Sequence, residues 1–233
     1  MKVIRTEFVT SAAAAQGIPA DSLAQIAFVG RSNVGKSTLL NALARAKLAR
    51  TSAAPGKTRL ANIFRVMVEG GPGGSGRWSV YFVDLPGYGY ARGGTDAAAE
   101  LAAVAAAYYE SESGIPGPGS DRTAGTGPRS DPGPRIPDDG DARATRATLH
   151  LIDARHPAMD SDLRAARWFD SHSVNRYVVA TKVDKLSRGE RTRNLGELER
   201  VLGRAPIPVS AANGEGLDEL WKLIAKLARD QHR

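Results

Sequence analysis

The chain has 233 residues, 42% of them hydrophobic, which is enough for one α/β domain with a complete core or for two smaller domains. It contains no cysteine, which excludes disulfides and thiolate metal sites and is compatible with a reducing compartment. No apolar run approaches the ~20 residues of a membrane span, and residues 1–17 lack the apolar core of a secretory signal. We therefore expect a cytoplasmic protein that does not contact a membrane.

The formal net charge is +7, and the basic residues are unevenly distributed. No acidic residue lies between Asp21 and Glu69. The basic residues of that stretch are Arg31, Lys36, Arg45, Lys47, Arg50, Lys57, Arg59 and Arg65. One or two of them would offset a bound polyphosphate, so the excess indicates contact with a larger polyanion such as RNA.

Short apolar runs alternate with helical patterns along the chain. The runs predict strands over 25–29, 62–68, 78–83, 147–152, 177–180 and 207–209. The helical patterns cover 37–48, 97–109, 160–171, 190–202 and a last helix from Leu217. A glycine-rich link at 70–76 is typical of a hairpin turn. This order predicts a three-layer, doubly wound α/β fold, with a mostly parallel sheet that contains one antiparallel strand.

Residues 113–143 do not fit this alternation. They are rich in Gly, Pro, Ser, Asp and Arg, and Ile115 and Ile136 are their only large aliphatic side chains. Such a segment buries too little apolar surface to offset the entropy of ordering it. We interpret it as a disordered insertion within a single domain that spans 1–233.

Residues 30–37, GRSNVGKS, match the phosphate-loop pattern GxxxxGK[ST] at every fixed position. A strand that feeds such a turn into a helix start directs backbone N–H groups at a β-phosphate. Lys36 would then bridge the β- and γ-phosphates, and the Ser37 hydroxyl would bind Mg²⁺.

Two further segments predict contacts with the metal and the γ-phosphate. Asp84 follows the apolar run at 80–83, so its carboxylate is expected over the crevice at the end of a strand, where it can hold Mg²⁺ through water. Gly87 would let its N–H approach the γ-phosphate. Thr58 is favoured as the threonine that closes on Mg²⁺, with Thr51 and Ser52 as competitors in the same loop.

The segment TKVD at 181–184 indicates the base. The Asp184 carboxylate can accept hydrogen bonds from N1–H and the exocyclic amine of guanine, whereas adenine would leave it unpaired. Lys182 would lay its aliphatic stem on the base, and the Ala211 N–H would donate to the guanine O6. An exposed turn is the alternative when such a segment stands alone.

These motifs together define a predicted site for GTP or GDP with Mg²⁺. The predicted catalytic residues are Lys36, Thr58 and Gly87, and the predicted metal ligands are Ser37, Thr58 and Asp84. Nucleotide contacts are predicted for Gly30, Arg31, Ser32, Asn33, Val34, Gly35, Lys36, Ser37, Thr38, Pro55, Gly56, Lys57, Thr58, Asp84, Leu85, Pro86, Gly87, Thr181, Lys182, Val183, Asp184, Ser210, Ala211 and Ala212.

Tyr88 follows the Asp-x-x-Gly segment, where Ras-like GTPases carry a water-orienting glutamine. An aromatic ring cannot orient the attacking water in that way, so we expect slow basal hydrolysis that awaits a partner or a cation. Asn33 is compatible with two roles: a ligand for a monovalent cation such as K⁺, or an asparagine that stabilises the turn.

The motifs GRSNVGKS at 30–37, PGKT at 55–58, DLPGYGYA at 84–91 and DARHP at 153–157 resemble those of the EngB (YsxC/YihA) family of bacterial GTPases. The resemblance covers 1–110 and 146–230 and leaves out the insertion. It implies a role in assembly of the large ribosomal subunit and a part in normal septation, and a fold of the P-loop GTPase type is expected. With the basic stretch, rRNA is the expected contact.

The chain departs from the family pattern in the first switch loop. Ala54 stands where the family usually has Thr, and Arg59 where Gln is common. Both positions bear on how that loop closes. Arg155 and His156 match a family motif for which a helix-start or packing role is expected.

Three functions fit these residues to different degrees. The first is a GTP-hydrolysing switch, expected to be a monomer, that binds a ribosomal precursor in its GTP form. The second is a nucleotide-gated RNA- or ribosome-binding module with negligible turnover, which Tyr88 leaves open. A P-loop kinase is disfavoured by the guanine-reading segments.

Overall fold

The structure is a computed structural model that describes residues 1–12, 19, 21–48, 61–71, 74–88, 108–109 and 146–229. The strands of this part are β1 Lys2–Ala12, β2 Gln25–Gly30, β3 Ala61–Glu69, β4 Arg77–Asp84, β5 Arg146–Asp153, β6 Arg176–Thr181 and β7 Ile207–Pro208. Its helices are α1 Lys36–Ala44, α2 Asp160–Ser171, α3 Arg188–Leu202 and α4 Leu217–Arg229, with a 3₁₀ turn at Val183–Lys185.

The described strands form one sheet in the order β1-β3-β4-β2-β5-β6-β7. Parallel pairing joins β4, β2, β5, β6 and β7, whereas β3 pairs antiparallel with both β1 and β4. Among the described strands, β3 alone therefore runs against the others. The predicted doubly wound sheet with one antiparallel strand is confirmed.

Helices cover both faces of the sheet. On one face α1 and α4 enclose a core that contains Leu40, Phe82 and Trp221. On the other face α2 packs on the sheet through Phe169 and α3 through Leu198. Within the described residues, no helix is long and apolar enough to cross a bilayer.

Strand β1 was not predicted from the sequence. It lies at the edge of the sheet, and its pairing with β3 contains two register shifts, between Val3 and Arg5 and between Phe8 and Thr10. Phe8 and Val9 are both exposed. The regular apolar-polar alternation that marks a strand is therefore missing.

The other differences concern element ends. Helix α1 ends at Ala44, four residues before its predicted end, because Arg45 adopts a left-handed conformation with φ 49° and closes the last turn onto the Ala42 carbonyl. The hairpin between β3 and β4 is confirmed, and the Gly70 N–H donates to the Gly76 carbonyl at 3.0 Å. The insertion at 113–143 and the predicted helix over 97–109, apart from helical Tyr108 and Tyr109, lie outside the described residues.

The carboxyl ends of β2, β4, β5 and β6 lie along the same edge of the sheet. The first strand of the doubly wound part, β2, stands between β4 and β5. In such sheets ligands bind in the crevice outside the carboxyl ends, where the strand order reverses. The fold therefore brings the predicted motifs to one edge.

Candidate functional site

The phosphate loop leaves β2 at Gly30 and enters α1 at Lys36. A Cβ at Gly30 would lie 2.8 Å from both the Leu151 carbonyl oxygen and Val34 Cγ1, so only glycine fits. Asn33 and Gly35 take positive φ values of 65° and 102°, which turn the chain into the helix. Because Gly35 has no side chain to cap the helix, the first N–H groups of α1 remain available to an anion.

Lys36 meets Asp84 at the end of β4. The Lys36 ammonium forms an ion pair with Asp84 Oδ1, and both side chains are largely buried. Ser37, half-buried, follows in the first turn of the helix. A hydroxyl and a carboxylate are hard oxygen ligands of the kind that Mg²⁺ takes together with phosphate oxygens, so these residues fit that ion.

The segment after Asp84 lies directly against the phosphate loop. The Ser32 N–H donates to the Tyr88 carbonyl at 3.1 Å, and the Tyr88 N–H donates to the Gly30 carbonyl at 3.3 Å. A Cβ at Gly87 would lie 3.2 Å from both Gly30 O and Ser32 N. Gly87 therefore allows a backbone approach that a larger residue would push apart.

The base-reading segment is tied to the same loop from the other side. The Thr181 hydroxyl donates to the Val34 carbonyl at 2.7 Å. Lys182 Nζ donates to the Asn33 carbonyl at 2.6 Å, and its Cε would lie 3.6 Å from a Cβ at Gly35. The lysine stem thus runs along the phosphate loop.

Ser210 orients the carboxylate of Asp184. The Ser210 hydroxyl donates to Asp184 Oδ1 at 2.7 Å and accepts from the Ala212 N–H at 3.3 Å. This hydrogen bond from Ser210 is the main reason that the pKa of Asp184 lies below its usual value. The two predicted guanine-reading segments are therefore in contact, and the carboxylate between them is ionised.

The sequence pattern did not predict a role for Asp153, which lies at the end of β5. Its carboxylate accepts from Lys182 Nζ at 2.9 Å and from Arg155 through Nε at 3.0 Å and a terminal nitrogen at 2.7 Å. Burial alone would raise the pKa of Asp153, but the hydrogen bonds from Arg155 and Lys182 lower it to about 2. The carboxylate thus restrains Lys182 beside the phosphate loop.

The expected helix-start or packing role is wrong for Arg155. Its side chain is exposed and lies five residues before α2, where it binds Asp153 in a bidentate ion pair. The His156 N–H donates to the Asp153 carbonyl at 2.9 Å and closes the same turn. The two-residue spacing of Asp153 and Arg155 is the sequence feature from which this ion pair could have been predicted.

Tyr88 is buried and points away from the crevice. Its hydroxyl lies 2.7 Å from His150 Nε2 and 2.8 Å from Asp162 Oδ1, and Arg31 Nε donates to Asp162 Oδ2 at 3.2 Å. Nothing in the local sequence pattern marks His150 or Asp162, because both lie in ordinary strand and helix patterns. Only the fold brings them to Tyr88.

Part of the predicted site lies outside the described residues. These positions are the loop residues Pro55, Gly56, Lys57 and Thr58, with the competitors Thr51 and Ser52. The roles proposed for them stay predictions.

A glycine-rich loop that opens a helix, an acidic residue at the end of the neighbouring strand and the predicted guanine-reading pair, tied to that loop, meet at one edge of a doubly wound sheet. The fold and this site define a GTPase of the P-loop class.

Comparison with known proteins narrows the class. A family described as "50S ribosome-binding GTPase" matches residues 25–114. Proteins called "Probable GTP-binding protein EngB" from Anaeromyxobacter sp. (strain K) and from Solibacter usitatus (strain Ellin6076) are each 35% identical. The first match covers 99% of this chain and 94% of the relative, and the second covers 96% of each. The chain belongs to the EngB family.

Solved structures share the fold. A single-residue variant of Era from Aquifex aeolicus, bound to GDP and AlF₄⁻, superposes with a TM-score of 0.58 at 23% identity, over 89% of this chain and 57% of that one. A probable GTP-binding protein engB superposes with a TM-score of 0.52 at 17% identity, over 89% of this chain and 99% of that one.

Proposed function

We propose that this chain is a molecular switch that binds GTP with Mg²⁺, hydrolyses it to GDP and phosphate, and acts in assembly of the large ribosomal subunit. The observation that carries the nucleotide part is the joining of distant segments at one crevice. Thr181 and Lys182 donate to carbonyls of the phosphate loop, while Lys36 reaches Asp84. The names of the relatives support the same nucleotide.

On the phosphate side, the backbone N–H groups at the start of α1 and the Lys36 ammonium would bind the β- and γ-phosphates. Ser37 and Asp84 would hold Mg²⁺, with Thr58 as a further predicted ligand. The ion would supply positive charge against the phosphate oxygens. The Gly87 N–H would meet the γ-phosphate, since its backbone is free of a side chain at that approach.

On the base side, Asp184 would accept two hydrogen bonds from guanine, and Lys182 would cover the base plane. Ser210 orients the Asp184 carboxylate and lowers its pKa before any ligand arrives. The Ala211 N–H would donate to O6. Adenine would leave the Asp184 acceptor unpaired, which disfavours ATP.

The buried position of the Tyr88 hydroxyl supports slow basal hydrolysis, because the side chain is committed to His150 and Asp162 and cannot orient water. It also keeps open a second candidate, a nucleotide-gated RNA- or ribosome-binding module with negligible turnover. Asn33 offers its backbone carbonyl to Lys182, and a K⁺ role for its side chain stays a prediction.

The ribosomal part of the proposal is supported by two observations. The matched family is described as ribosome-binding, and Arg45 and Lys47 form an exposed basic turn after α1. A cytoplasmic location, a contact with rRNA, a monomeric state and a role in septation belong to the same proposal, and of these the role in septation rests on the family resemblance.

Titration calorimetry with Asp184→Asn tests the nucleotide assignment. The wild-type protein with Mg²⁺ should bind GDP and GTP and bind ATP much more weakly. The carboxamide presents a donor where the guanine amine needs an acceptor, so one hydrogen bond is lost and the one that remains is no longer made to a charged group. We expect GTP affinity to fall by about 100-fold or more and preference to move to XTP.

Asp218→Asn is the matched control, because Asp218 is an exposed aspartate on α4 and its change should leave all affinities unaltered. Absence of heat for GDP and GTP with the wild-type protein would contradict the proposal as a whole. Retained GTP preference in Asp184→Asn would contradict the base assignment alone, and equal ATP binding would favour a kinase.

A further inference from the structure

A fully buried carboxylate lies behind the crevice. The side chain of Asp162, the third residue of α2, has no exposed surface. Its Oδ2 accepts from Arg31 Nε at 3.2 Å, and its Oδ1 accepts from the Tyr88 hydroxyl at 2.8 Å. A charge that is removed from water destabilises a fold unless it is paired and hydrogen-bonded. Arg31 and Tyr88 therefore compensate for the burial of both oxygens of Asp162.

Those two partners come from the two loops that face the phosphates. Arg31 belongs to the phosphate loop, and Tyr88 follows Gly87. Backbone hydrogen bonds already join the same loops, from Ser32 N–H to the Tyr88 carbonyl and from Tyr88 N–H to the Gly30 carbonyl. Backbone and side chains thus fix the relative position of the two loops, with Asp162 as their common anchor on α2.

His150 completes the anchor from β5. The Tyr88 hydroxyl has one proton, so if it donates to Asp162 it must accept from His150 Nε2, which lies 2.7 Å away. Burial, aided by the charge of Arg176, lowers the pKa of His150 to about 3, so the ring is neutral near pH 7. One neutral tautomer, protonated on Nε2, satisfies this chain.

The consequence concerns Gly87, the residue next to Tyr88. A Cβ at Gly87 would lie 3.2 Å from Gly30 O and Ser32 N, so its peptide is closely packed on the phosphate loop. Its N–H would serve the γ-phosphate, which GTP carries and GDP lacks. Any loosening of Tyr88 therefore affects a contact that is made to GTP only.

Resting on the proposed function, we propose that Tyr88 and Asp162 are positioning residues that hold Gly87 for the γ-phosphate and so raise the affinity for GTP relative to the affinity for GDP. Tyr88 contributes through its hydroxyl, which bridges β5 and α2, and does not touch the nucleotide. Tyr88 occupies the position of a water-orienting glutamine, but here it positions the loop and does not orient water.

The test compares Tyr88→Phe with Tyr81→Phe. The second change removes another tyrosine hydroxyl, one that donates to Asp21 at 2.8 Å from β4, away from the crevice. Calorimetry with Mg²⁺ gives the Kd of each protein for GDP and for a non-hydrolysable GTP analogue. We expect Tyr88→Phe to weaken the GTP analogue about tenfold, the equivalent of one hydrogen bond, and to change GDP less than about twofold. Tyr81→Phe should match the wild type.

Asp162→Asn is the second variant, because its carboxamide still accepts from Tyr88 but no longer compensates the charge of Arg31. It should lower the same ratio of affinities. A wild-type protein that binds neither nucleotide would overturn the proposed function instead. With a wild-type protein that binds both, an unchanged ratio in Tyr88→Phe and Asp162→Asn overturns the positioning role. So does an equal loss of affinity for both nucleotides.

Discussion

At the scale of single residues, the predicted base side of the site contains two carboxylates whose neighbours lower their pKa values. Arg155 and Lys182 stabilise the Asp153 carboxylate, and the Ser210 hydroxyl stabilises that of Asp184. Both pKa values lie below the usual range of an aspartate, so neither charge changes near neutral pH. Guanine recognition should therefore be insensitive to mild acid.

His150 behaves differently, because burial beside Tyr88 and Phe169, aided by the charge of Arg176, lowers its pKa from 6.5 to about 3. In the unfolded chain His150 binds a proton as the pH falls through 6.5, whereas in the folded chain it does so only near pH 3. The stability that neutral His150 supports is thus complete above pH 6.5 and is lost as the pH falls toward 3. The slope from this one group is about 1.4 kcal/mol per pH unit.

His150→Gln should therefore flatten the pH dependence of the free energy of unfolding. Glutamine keeps an N–H for the Tyr88 hydroxyl and does not titrate. Denaturant titrations at about pH 7, 6 and 5 should give the wild type a loss that is steeper by about 1 kcal/mol per unit. His172→Gln, at an exposed histidine, should follow the wild type. Parallel curves for wild type and His150→Gln would disprove the assignment.

At the scale of elements, the turn between β7 and α4 holds the guanine-reading loop. The Ser210 N–H donates to the Glu215 carbonyl at 2.9 Å, and the Gly214 N–H donates to the Ser210 carbonyl at 3.0 Å. Gly216 has φ +74°, and a Cβ there would collide with the Pro208 carbonyl. The placement of Ser210, and through it of Asp184, requires glycine at 216.

Gly216→Ala should therefore lower both the free energy of unfolding and the affinity for GDP. Gly214→Ala is the control, because it measures the cost of a positive φ without a collision. Gly214 also has a positive φ, +85°, but nothing lies within 4 Å of its Cβ position. We expect a loss of about 1 kcal/mol for Gly214→Ala and of about 2–4 kcal/mol for Gly216→Ala, since overpacking adds to the strain. Melting curves and GDP titrations measure both. Similar values for the two variants would contradict the collision.

The elements that the sequence predicted are those whose pattern is local. The stripe of Leu220, Trp221 and Ile224 predicted α4, and the motif spacing placed the phosphate loop and the guanine-reading segment. Edge strand β1 has no local pattern, because it is half-exposed and its register shifts twice. The anchor of Tyr88 on Asp162 joins residues 74 apart in sequence, so only the folded sheet reveals it.

At the scale of the whole molecule, four described residues of the basic stretch form two groups in different places. Arg31 and Lys36 form ion pairs with carboxylates, Arg31 with Asp162 behind the crevice and Lys36 with Asp84 at the crevice. Arg45 and Lys47 are exposed beyond the end of α1, and neither forms an ion pair with the part of the chain that the structure describes. The second group is therefore available to a polyanion outside the nucleotide site.

Reversing this charge, with Arg45→Glu and Lys47→Glu together, should weaken binding to large-subunit precursors and spare GDP affinity. The control is Arg193→Glu with Arg200→Glu on α3, which likewise lowers the net charge by four units, from +7 to +3. Co-sedimentation at several salt concentrations separates local contact from net charge. The slope of log affinity against log salt should fall by about 1 for each lost phosphate contact, only when Arg45 and Lys47 are changed. Equal weakening by both double variants would mean that net charge alone attracts the particle, and unchanged binding would remove this turn from the RNA surface.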